Sequence, residues 1–228
     1  MPRELPIFPL PIVLFPGTPQ PLHIFEPRYR QLLADCLAAD RRFGIAYVPA
    51  AHEVGSEPLP DRGDVGCVAL IQNTQGLPDG RSNILTVGER RFVLIDWVGS
   101  DRPYRLARVE EFDDEPAEPT ETVSLAGDVR EGFTQLAEAL GILTGREDDE
   151  IELAADPQLL SFQVAASLEL APEAKRALLT LRSTTARLRQ LATLVRPLAA
   201  DAERRAAVRQ RAKGNGRGGP HPQIEPAT

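Results

Sequence analysis

Cysteine is scarce in this chain, and its scarcity argues against a disulfide-stapled scaffold. The only two cysteines, Cys36 and Cys67, lie far apart and show no metal-ligand spacing. We therefore expect two buried thiols in a reducing compartment. No apolar run approaches the roughly 20 residues that cross a bilayer, and Glu4 with the prolines after it breaks any signal-peptide core. These absences predict a cytoplasmic protein with no membrane contact.

Lysine and histidine are also rare, which removes several catalytic motifs. Lys175 and Lys213 each follow alanine, so no phosphate-binding Gly-Lys-Ser/Thr sequence occurs. His23, His52 and His221 are too scattered to indicate a metal site. Neither a Gly-x-Ser-x-Gly elbow nor a His-Glu-x-x-His helix is present. We predict no catalytic residue, no cofactor and no metal ligand.

Aromatic residues are few and the net charge is negative. With aromatics at 5%, the core must be built from Leu, Val, Ile and Ala. A formal charge of −7 argues against a general nucleic-acid binder, because such proteins usually carry a basic excess.

What the first half does contain is a series of short β-type segments around one helix. The stretch from Leu5 to Phe15 is extended, and its prolines favour a sheet edge. Pro27 opens an amphipathic helix that ends near Asp40, with an apolar face formed by Tyr29, Leu32, Leu33, Cys36 and Leu37. Further strands are predicted at 43–48, 65–72, 84–87, 91–98 and 104–110. A sharp turn is expected at Leu77–Gly80. These elements predict a small, curled, mostly antiparallel sheet or barrel over residues 1–112.

The second half changes to a helical period after an acidic, proline-bearing stretch. Residues 113–121 are predicted to form a solvated linker, and residues 122–212 a helical bundle. The apolar face of the first bundle helix is predicted to contain Leu125, Val129, Phe133, Leu136, Leu140 and Leu143. Asp156 should cap the next helix, with Pro157 as its first residue, and Pro172 precedes a short third helix.

The last helix of the predicted bundle has a seam of Leu188, Leu191, Leu194, Val195 and Leu198. Pro197 should kink or end this helix. Gly, Pro and polar residues dominate the C-terminus, so residues 213–228 are expected to be a disordered tail.

The segment from His23 to Tyr29 has the densest group of side chains typical of a binding site. If this segment were a binding edge, His23, Arg28 and Tyr29 would offer hydrogen-bond donors and a flat aromatic ring to a partner. Local architecture is the favoured interpretation, since Glu26 suits a helix N-terminus and helical periodicity places Tyr29 inward. His23 and Arg28 are kept as candidate partner-binding residues.

Arg90 and Arg91 are the other candidates, because adjacent arginines could contact an acidic partner. Arginine supplies almost all the positive charge of this chain, so a pair of them carries little information. A solvated face is the expected setting for both side chains.

Several short motifs follow one another along this chain. The first are Leu5-Pro-Ile-Phe-Pro-Leu-Pro-Ile-Val-Leu-Phe-Pro-Gly17 and Pro21-Leu-His-Ile-Phe-Glu-Pro-Arg-Tyr-Arg30. Further motifs are Val65-Gly-Cys-Val-Ala69, Asp79-Gly-Arg81, Val87-Gly-Glu-Arg-Arg-Phe92 and Tyr104-Arg-Leu-Ala-Arg-Val109. Together they resemble the N-terminal substrate-binding domain of Lon proteases, above all its stand-alone bacterial versions. The resemblance covers about residues 4 to 205 and is most specific in the first 110.

The resemblance implies an α+β fold, with an N-terminal twisted β-pseudobarrel of the PUA-like kind followed by a C-terminal α-helical bundle. It also implies capture of unfolded or tagged polypeptides, with a full-length Lon protease as a further partner. The chain stops before an ATPase or Ser–Lys peptidase domain, so we expect neither activity, and no catalytic residue is carried over.

Three functions remain open from the sequence. The first is a polypeptide-binding module that serves as a quality-control adaptor or competitor of a Lon protease. The second is RNA binding through the barrel, which the negative charge and few aromatics disfavour. The third is a small-molecule or hydrolytic pocket, for which His23, Cys36 and Cys67 are the available candidates.

Overall fold

The computed structural model describes residues 2–50, 58–116, 119–145 and 152–215. The first half forms strands around one helix, as the sequence predicts. Its elements are β1 (Arg3–Leu10), β2 (Pro19–Ile24), α1 (Pro27–Leu37), β3 (Arg42–Tyr47), β4 (Val65–Gly76), β5 (Ser82–Val98) and β6 (Arg105–Glu111). Gly80 adopts a φ of 80° in the predicted turn between β4 and β5, a conformation that glycine tolerates best.

The six strands form a mixed sheet that closes on itself. Their order is β2-β5-β4-β3-β1-β6, and β6 also pairs with β5, which completes a barrel of five strands. The β1–β3 pair is parallel, and the other pairs of named strands are antiparallel. β2 lies outside this closure, and among the strands of the described residues it pairs with β5 alone. Its prolines, Pro19 and Pro21, fit this edge position because they cannot donate to a ladder.

One long strand replaces two predicted ones. The segments 84–87 and 91–98 belong to the single strand β5, because a bulge, rather than a turn, lies between them. Ala69 pairs with Gly88 while Cys67 pairs with Arg91, which leaves one extra residue on β5. A Cβ atom at Gly88 would lie 2.2 Å from the carbonyl oxygen of Phe15, so the approach of that loop requires glycine.

The inward faces of the barrel and of α1 form two apolar clusters. One lies beneath α1 and includes Tyr29, Leu32 and Leu33, and the other fills the barrel around Phe92 and Leu94. Tyr29 packs inward as predicted, with its ring centroid 3.9 Å from that of Phe8.

Both cysteines are buried free thiols, as the sequence predicts. Burial raises the pKa of the Cys36 thiol to about 12 and raises that of Cys67 as well. Neither side chain is therefore an available thiolate at neutral pH.

The second half is a helical bundle. Its helices are α2 (Pro119–Thr144), α3 (Pro157–Ser167), α4 (Pro172–Thr180) and α5 (Thr184–Asn215). Asp156 caps α3, since its side chain accepts a hydrogen bond of 2.8 Å from the Leu159 N–H. α2 packs along α5, and their buried residues form one core with α3 and α4.

Parts of the predicted bundle differ from the structure. Of the two outcomes predicted for Pro197, the end of the helix is wrong and the kink stays a prediction: α5 continues to Asn215, because Val195, Ala199 and Ala202 on both sides of the proline pack into the core. Helical backbone thus includes residues 213–215 of the predicted tail, whereas residues 216–228 lie outside the described part of the chain. Leu140 and Leu198, predicted on inward faces, are 45% and 44% exposed.

The predicted linker contains part of the first bundle helix, because α2 begins at Pro119. Its Asp114 side chain is only 8% exposed, so the expectation of a fully solvated linker is wrong at this residue. No helix in the described residues is long and apolar enough to span a bilayer.

Candidate functional site

The four candidate partner-binding residues lie in two places in the structure. Arg90 and Arg91 are neighbours on β5, where strand alternation points them to opposite faces. Arg90 is exposed and forms an ion pair with Glu111 on β6. Arg91 is buried, with a residue exposure of 3%, so the predicted solvated face is wrong for this side chain.

Arg91 belongs to a buried charged group that joins the barrel to the bundle. Its guanidinium pairs with the carboxylate of Asp114, which also accepts a hydrogen bond of 2.6 Å from Arg187 on α5. Arg91 donates to the carbonyl oxygens of Leu179 and Leu181, at 2.6 and 2.7 Å. We call Arg91, Asp114 and Arg187 the interdomain network.

The interdomain network is fully paired despite its excess positive charge. Arg187 donates to Leu181 and to the Ser161 hydroxyl, at 2.8 and 2.7 Å, and its guanidinium lies 4.0 Å from the ring centroid of Phe162. Burial lowers the pKa of both arginines, while the charge of Asp114 acts in the opposite direction. Such a group fixes structure and leaves no side chain free to contact a partner.

His23 and Arg28 lie together at the corner where β2 leads into α1. His23 Nδ1 lies 2.7 Å from Asn83 Oδ1 on β5, and its ring stacks on Phe25 with a centroid distance of 6.0 Å. Arg28 pairs with Glu26 at 2.9 Å and lies over the ring of Tyr29. Between the two candidates lies Phe25, whose side chain is 57% exposed.

Phe25 marks one end of an exposed sheet face that carries no formal charge. On β2 and β5, Pro21 pairs with Leu85 and His23 with Asn83. Ile24, next to His23, and Ile84, between Asn83 and Leu85, are buried on the opposite face. On β4, Asn73 pairs with Leu85, and Gln75 with Asn83. We call this set the uncharged face: Pro21, His23, Phe25, Asn73, Gln75, Asn83 and Leu85.

The chemistry of the uncharged face combines apolar side chains with amides. Phe25 and Leu85 are large and exposed, at 57% and 41%. Asn73, Gln75 and Asn83 are exposed and carry groups that both donate and accept hydrogen bonds. The segments 17–25, 65–78 and 82–88 contain no Asp, Glu, Lys or Arg, although such residues make up 26% of the chain. Such a surface suits partners that offer apolar side chains and peptide groups.

Sequence reasoning missed Phe25 and Leu85 as surface residues. An apolar residue in a β segment is assigned to the core by default. A signal was present in the spacing, because Phe25 follows His23 by two positions, and the two rings do stack in the structure. The uncharged segments were a second signal.

The described part of the chain contains no group of side chains suited to a metal centre. Within the described ranges, no three His, Cys, Asp or Glu side chains come together in a way that could hold a metal ion.

Solved structures with the same architecture are Lon N-terminal domains. The Lon N-terminal domain protein from Xanthomonas campestris has a TM-score of 0.57 and 23% identity, with 83% of this chain and 96% of that chain covered. The N-terminal domain of the Mycobacterium avium complex Lon protease has a TM-score of 0.64 and 20% identity, with 87% and 99% covered. At these identities the likeness defines the fold.

Sequence comparison identifies the family. The model of the ATP-dependent protease La (LON) substrate-binding domain matches residues 4–196, and the chain belongs to this family. Lon protease 2 of Herpetosiphon aurantiacus is 29% identical over 198 residues, and Lon protease of Roseiflexus castenholzii is 30% identical over 196. These alignments cover 84% of this chain but 23% and 24% of the relatives. The matched region is a substrate-binding domain rather than an ATPase or protease domain.

Proposed function

We propose that this chain is a non-catalytic module that binds extended, unfolded polypeptide segments on the uncharged face. The exposed aromatic ring of Phe25, stacked on His23 at one end of a face that also carries amides and the exposed Leu85, is the observation that carries this proposal. Membership of a substrate-binding family supports the same function.

The composition of the face explains how it would accept many different segments. Peptide groups both donate and accept hydrogen bonds, and so do the amides of Asn73, Gln75 and Asn83. Phe25 and Leu85 provide apolar contact at a cost in side-chain entropy that is smaller than for long flexible residues. Without fixed charges, the face imposes no sign preference on the bound segment.

Side-chain contact, rather than strand addition, is the proposed mode of binding. β2 is the edge of the sheet, and an added strand would need main-chain donors from it. Pro19 and Pro21 have no N–H group, which weakens the edge as a template. The polypeptide would instead lie across the exposed side chains.

Within this proposal, His23 is a direct contact and Arg28 lies at the rim. Arg90 is exposed but lies with Glu111 at another part of the barrel, so we assign it no part in binding. Arg91 is excluded by its burial.

The test is direct binding without nucleotide. A permanently unfolded model protein, made by reducing and alkylating its disulfides, should bind with a measurable Kd by fluorescence anisotropy, and its native form should not. Because few charges are involved, the Kd should change less than about twofold between 50 and 300 mM salt. Equal binding of native and unfolded forms, or no binding of either, would contradict the proposal.

We further propose that the chain acts as an adaptor or competitor for a full-length Lon protease. The relatives of this chain carry the same domain within a longer protein, so both would take overlapping segments. Added chain should change the rate at which such a protease degrades an unfolded substrate, and the Phe25→Ser variant should not. An equal effect of both proteins would contradict the adaptor role.

A further inference from the structure

A cleft of about 520 Å³ lies between the barrel and the bundle. Its barrel wall includes Ile12, Pro19 and Gln20, and its helical wall includes Gln163, Ala166 and Lys175. Pro19 and Gln20 are the first residues of β2, whose later residues, Pro21 and His23, belong to the uncharged face. β2 therefore leads from Ile24, the residue before Phe25, to the cleft.

The helical wall of the cleft offers more hydrogen-bond donors than it uses. Lys175 Nζ donates to the carbonyl oxygen of Ala166 at 2.7 Å, and among the described residues the ammonium forms no other hydrogen bond and no ion pair. An ammonium has three donors. Lys175 is half-buried, and this partial burial lowers the pKa of its ammonium, while the charge of Glu169 acts in the opposite direction.

Gln163 adds a second spare donor on the same wall. The N–H of Ala154 donates to Gln163 Oε1 at 2.8 Å, which fixes the orientation of the side-chain amide. The NH₂ group of Gln163 has no partner within the described part of the chain. The nearby hydroxyls of Thr18 and Ser167 already donate, to the carbonyl oxygens of Phe15 and Gln163.

These spare donors favour carbonyl oxygens over carboxylates as ligands. Glu152 lines the cleft and Glu169 lies close enough to act on the charge of Lys175. A carboxylate on the ligand would be repelled by both glutamates, whereas the neutral carbonyl oxygen of a peptide group would not. Every residue of an extended polypeptide presents such an oxygen.

We propose that the cleft is the second half of a two-part polypeptide site, in which Lys175 and Gln163 donate hydrogen bonds to main-chain carbonyl oxygens of the segment held on the uncharged face. This inference rests on the proposed function and adds a length requirement to it. The six residues of β2 together with Phe25 make a stretch of about seven, and an extended chain rises about 3.3 Å per residue, so a bound segment of about the same number of residues lies along it. About ten or more are needed to reach the helical wall.

The experiment compares two capped, uncharged peptides of Leu, Phe, Asn, Gln and Ser, six and twelve residues long, by fluorescence anisotropy. The twelve-residue peptide should bind at least about fivefold more tightly, as expected when two linked subsites act together. Lys175→Met should abolish this advantage and leave the Kd of the shorter peptide unchanged. Gln163→Glu keeps the acceptor for Ala154 but removes the NH₂ donors, and it should reduce the advantage about threefold.

The cleft and the uncharged face can fail separately in this experiment. If both peptides bind wild-type protein equally well and Lys175→Met has no effect, the cleft is not part of the site while the proposed function stands. If each cleft variant binds the six-residue and the twelve-residue peptide more weakly by the same factor, the two-part site is also overturned. Failure of both peptides to bind wild-type protein overturns the proposed function together with the inference. Denaturant unfolding checks that each variant is folded. If Lys175→Met does not fold, the Kd values of Gln163→Glu decide whether the cleft is part of the site.

Discussion

The interdomain network and the uncharged face use opposite chemistry for opposite purposes. The network places three charged side chains in the interior, where Arg91 and Arg187 are 3% and 0% exposed. The uncharged face places Phe25 and Leu85 at the surface, 57% and 41% exposed. Charge in this molecule joins its two halves, while the surface we propose for binding is free of charge.

The physical difference lies in what each arrangement costs to disturb. A buried guanidinium without its carboxylate must be desolvated without compensation, so the network tolerates little change. An exposed apolar side chain contributes little to folding, so the face can be altered without unfolding the chain. The two regions should therefore respond differently to substitution, and four predictions test this difference.

The largest effect is expected at the interdomain network. Arg91→Ala should lower the free energy of unfolding by about 3 kcal/mol, because Asp114 and the buried carbonyl oxygen of Leu179 would each lose a charged hydrogen-bond donor. Its neighbour provides a matched control. Arg90→Ala removes an exposed ion pair and should change the free energy of unfolding by less than about 0.5 kcal/mol. Denaturant unfolding measures both, and equal losses would contradict the distinction between the two arginines.

The next effect concerns binding rather than stability. Phe25→Ser should weaken the binding of unfolded polypeptide about tenfold, as expected for loss of an aromatic contact, and change the free energy of unfolding by less than about 0.5 kcal/mol. Leu85→Ser should weaken binding less. Leu140→Ser, at an exposed leucine of the bundle, is the matched control and should leave binding unchanged. A similar loss of affinity in Leu140→Ser would contradict the proposal that polypeptides bind at the uncharged face.

A pH-dependent effect on stability is expected at the ion pair of Arg42 and Glu89. This pair is partly exposed, so its burial lies between that of the interdomain network and that of the uncharged face. Arg42 holds Glu89 by hydrogen bonds of 2.7 and 2.8 Å, which lower the pKa of Glu89 below its usual 4.5. A lowered folded pKa means that the pair stabilises the protein fully above about pH 4.5 and loses this contribution as the pH falls through the folded pKa.

Glu89→Gln should accordingly lower the free energy of unfolding by about 1 kcal/mol at pH 7. The difference from wild type should shrink as the pH is lowered below about 4. Glu110→Gln, at an exposed position of β6, is the control. A difference that stays constant from pH 7 to pH 3 would contradict the role of the ionised pair.

The smallest effect sharpens the meaning of an uncharged face. Gln75→Glu and Gln75→Lys should each weaken polypeptide binding about two- to threefold, because either charge must be partly desolvated under the bound segment. Anisotropy titrations with a neutral twelve-residue peptide measure both variants. An increase in affinity for one sign of charge would show that binding is guided by charge instead.

Regular packing explains which parts of the fold were predictable. The helical spacing of Tyr29, Leu32 and Leu33 placed α1 correctly, and the Asp156 cap marked the start of α3. The extra residue between Gly88 and Arg91 could not be recognised, because a bulge and a turn use the same small and polar residues. Pro197 does not end α5, because the packing of its neighbours against the rest of the bundle offsets one missing hydrogen bond.

The site was harder to predict than the fold because residue type does not determine exposure. Arg91 and Arg90 are identical and adjacent, yet the partners of Arg91 come from distant segments, at Asp114 and Leu179–Leu181. Phe25 is as apolar as the buried Phe8, but it lies just after the end of β2, where its side chain is exposed. Spacing within a strand predicts which residues share a face, but not which face is covered.

Site-specific cross-linking tests the uncharged face most directly. A photoreactive amino acid placed at Leu85 should attach to a radiolabelled unfolded polypeptide, whereas the same group at Leu140 should give only background. Excess unlabelled twelve-residue peptide should suppress the product from Leu85. Equal cross-linking from Leu140, or none from Leu85 at concentrations where binding is saturated, would contradict the assignment of polypeptide binding to this face.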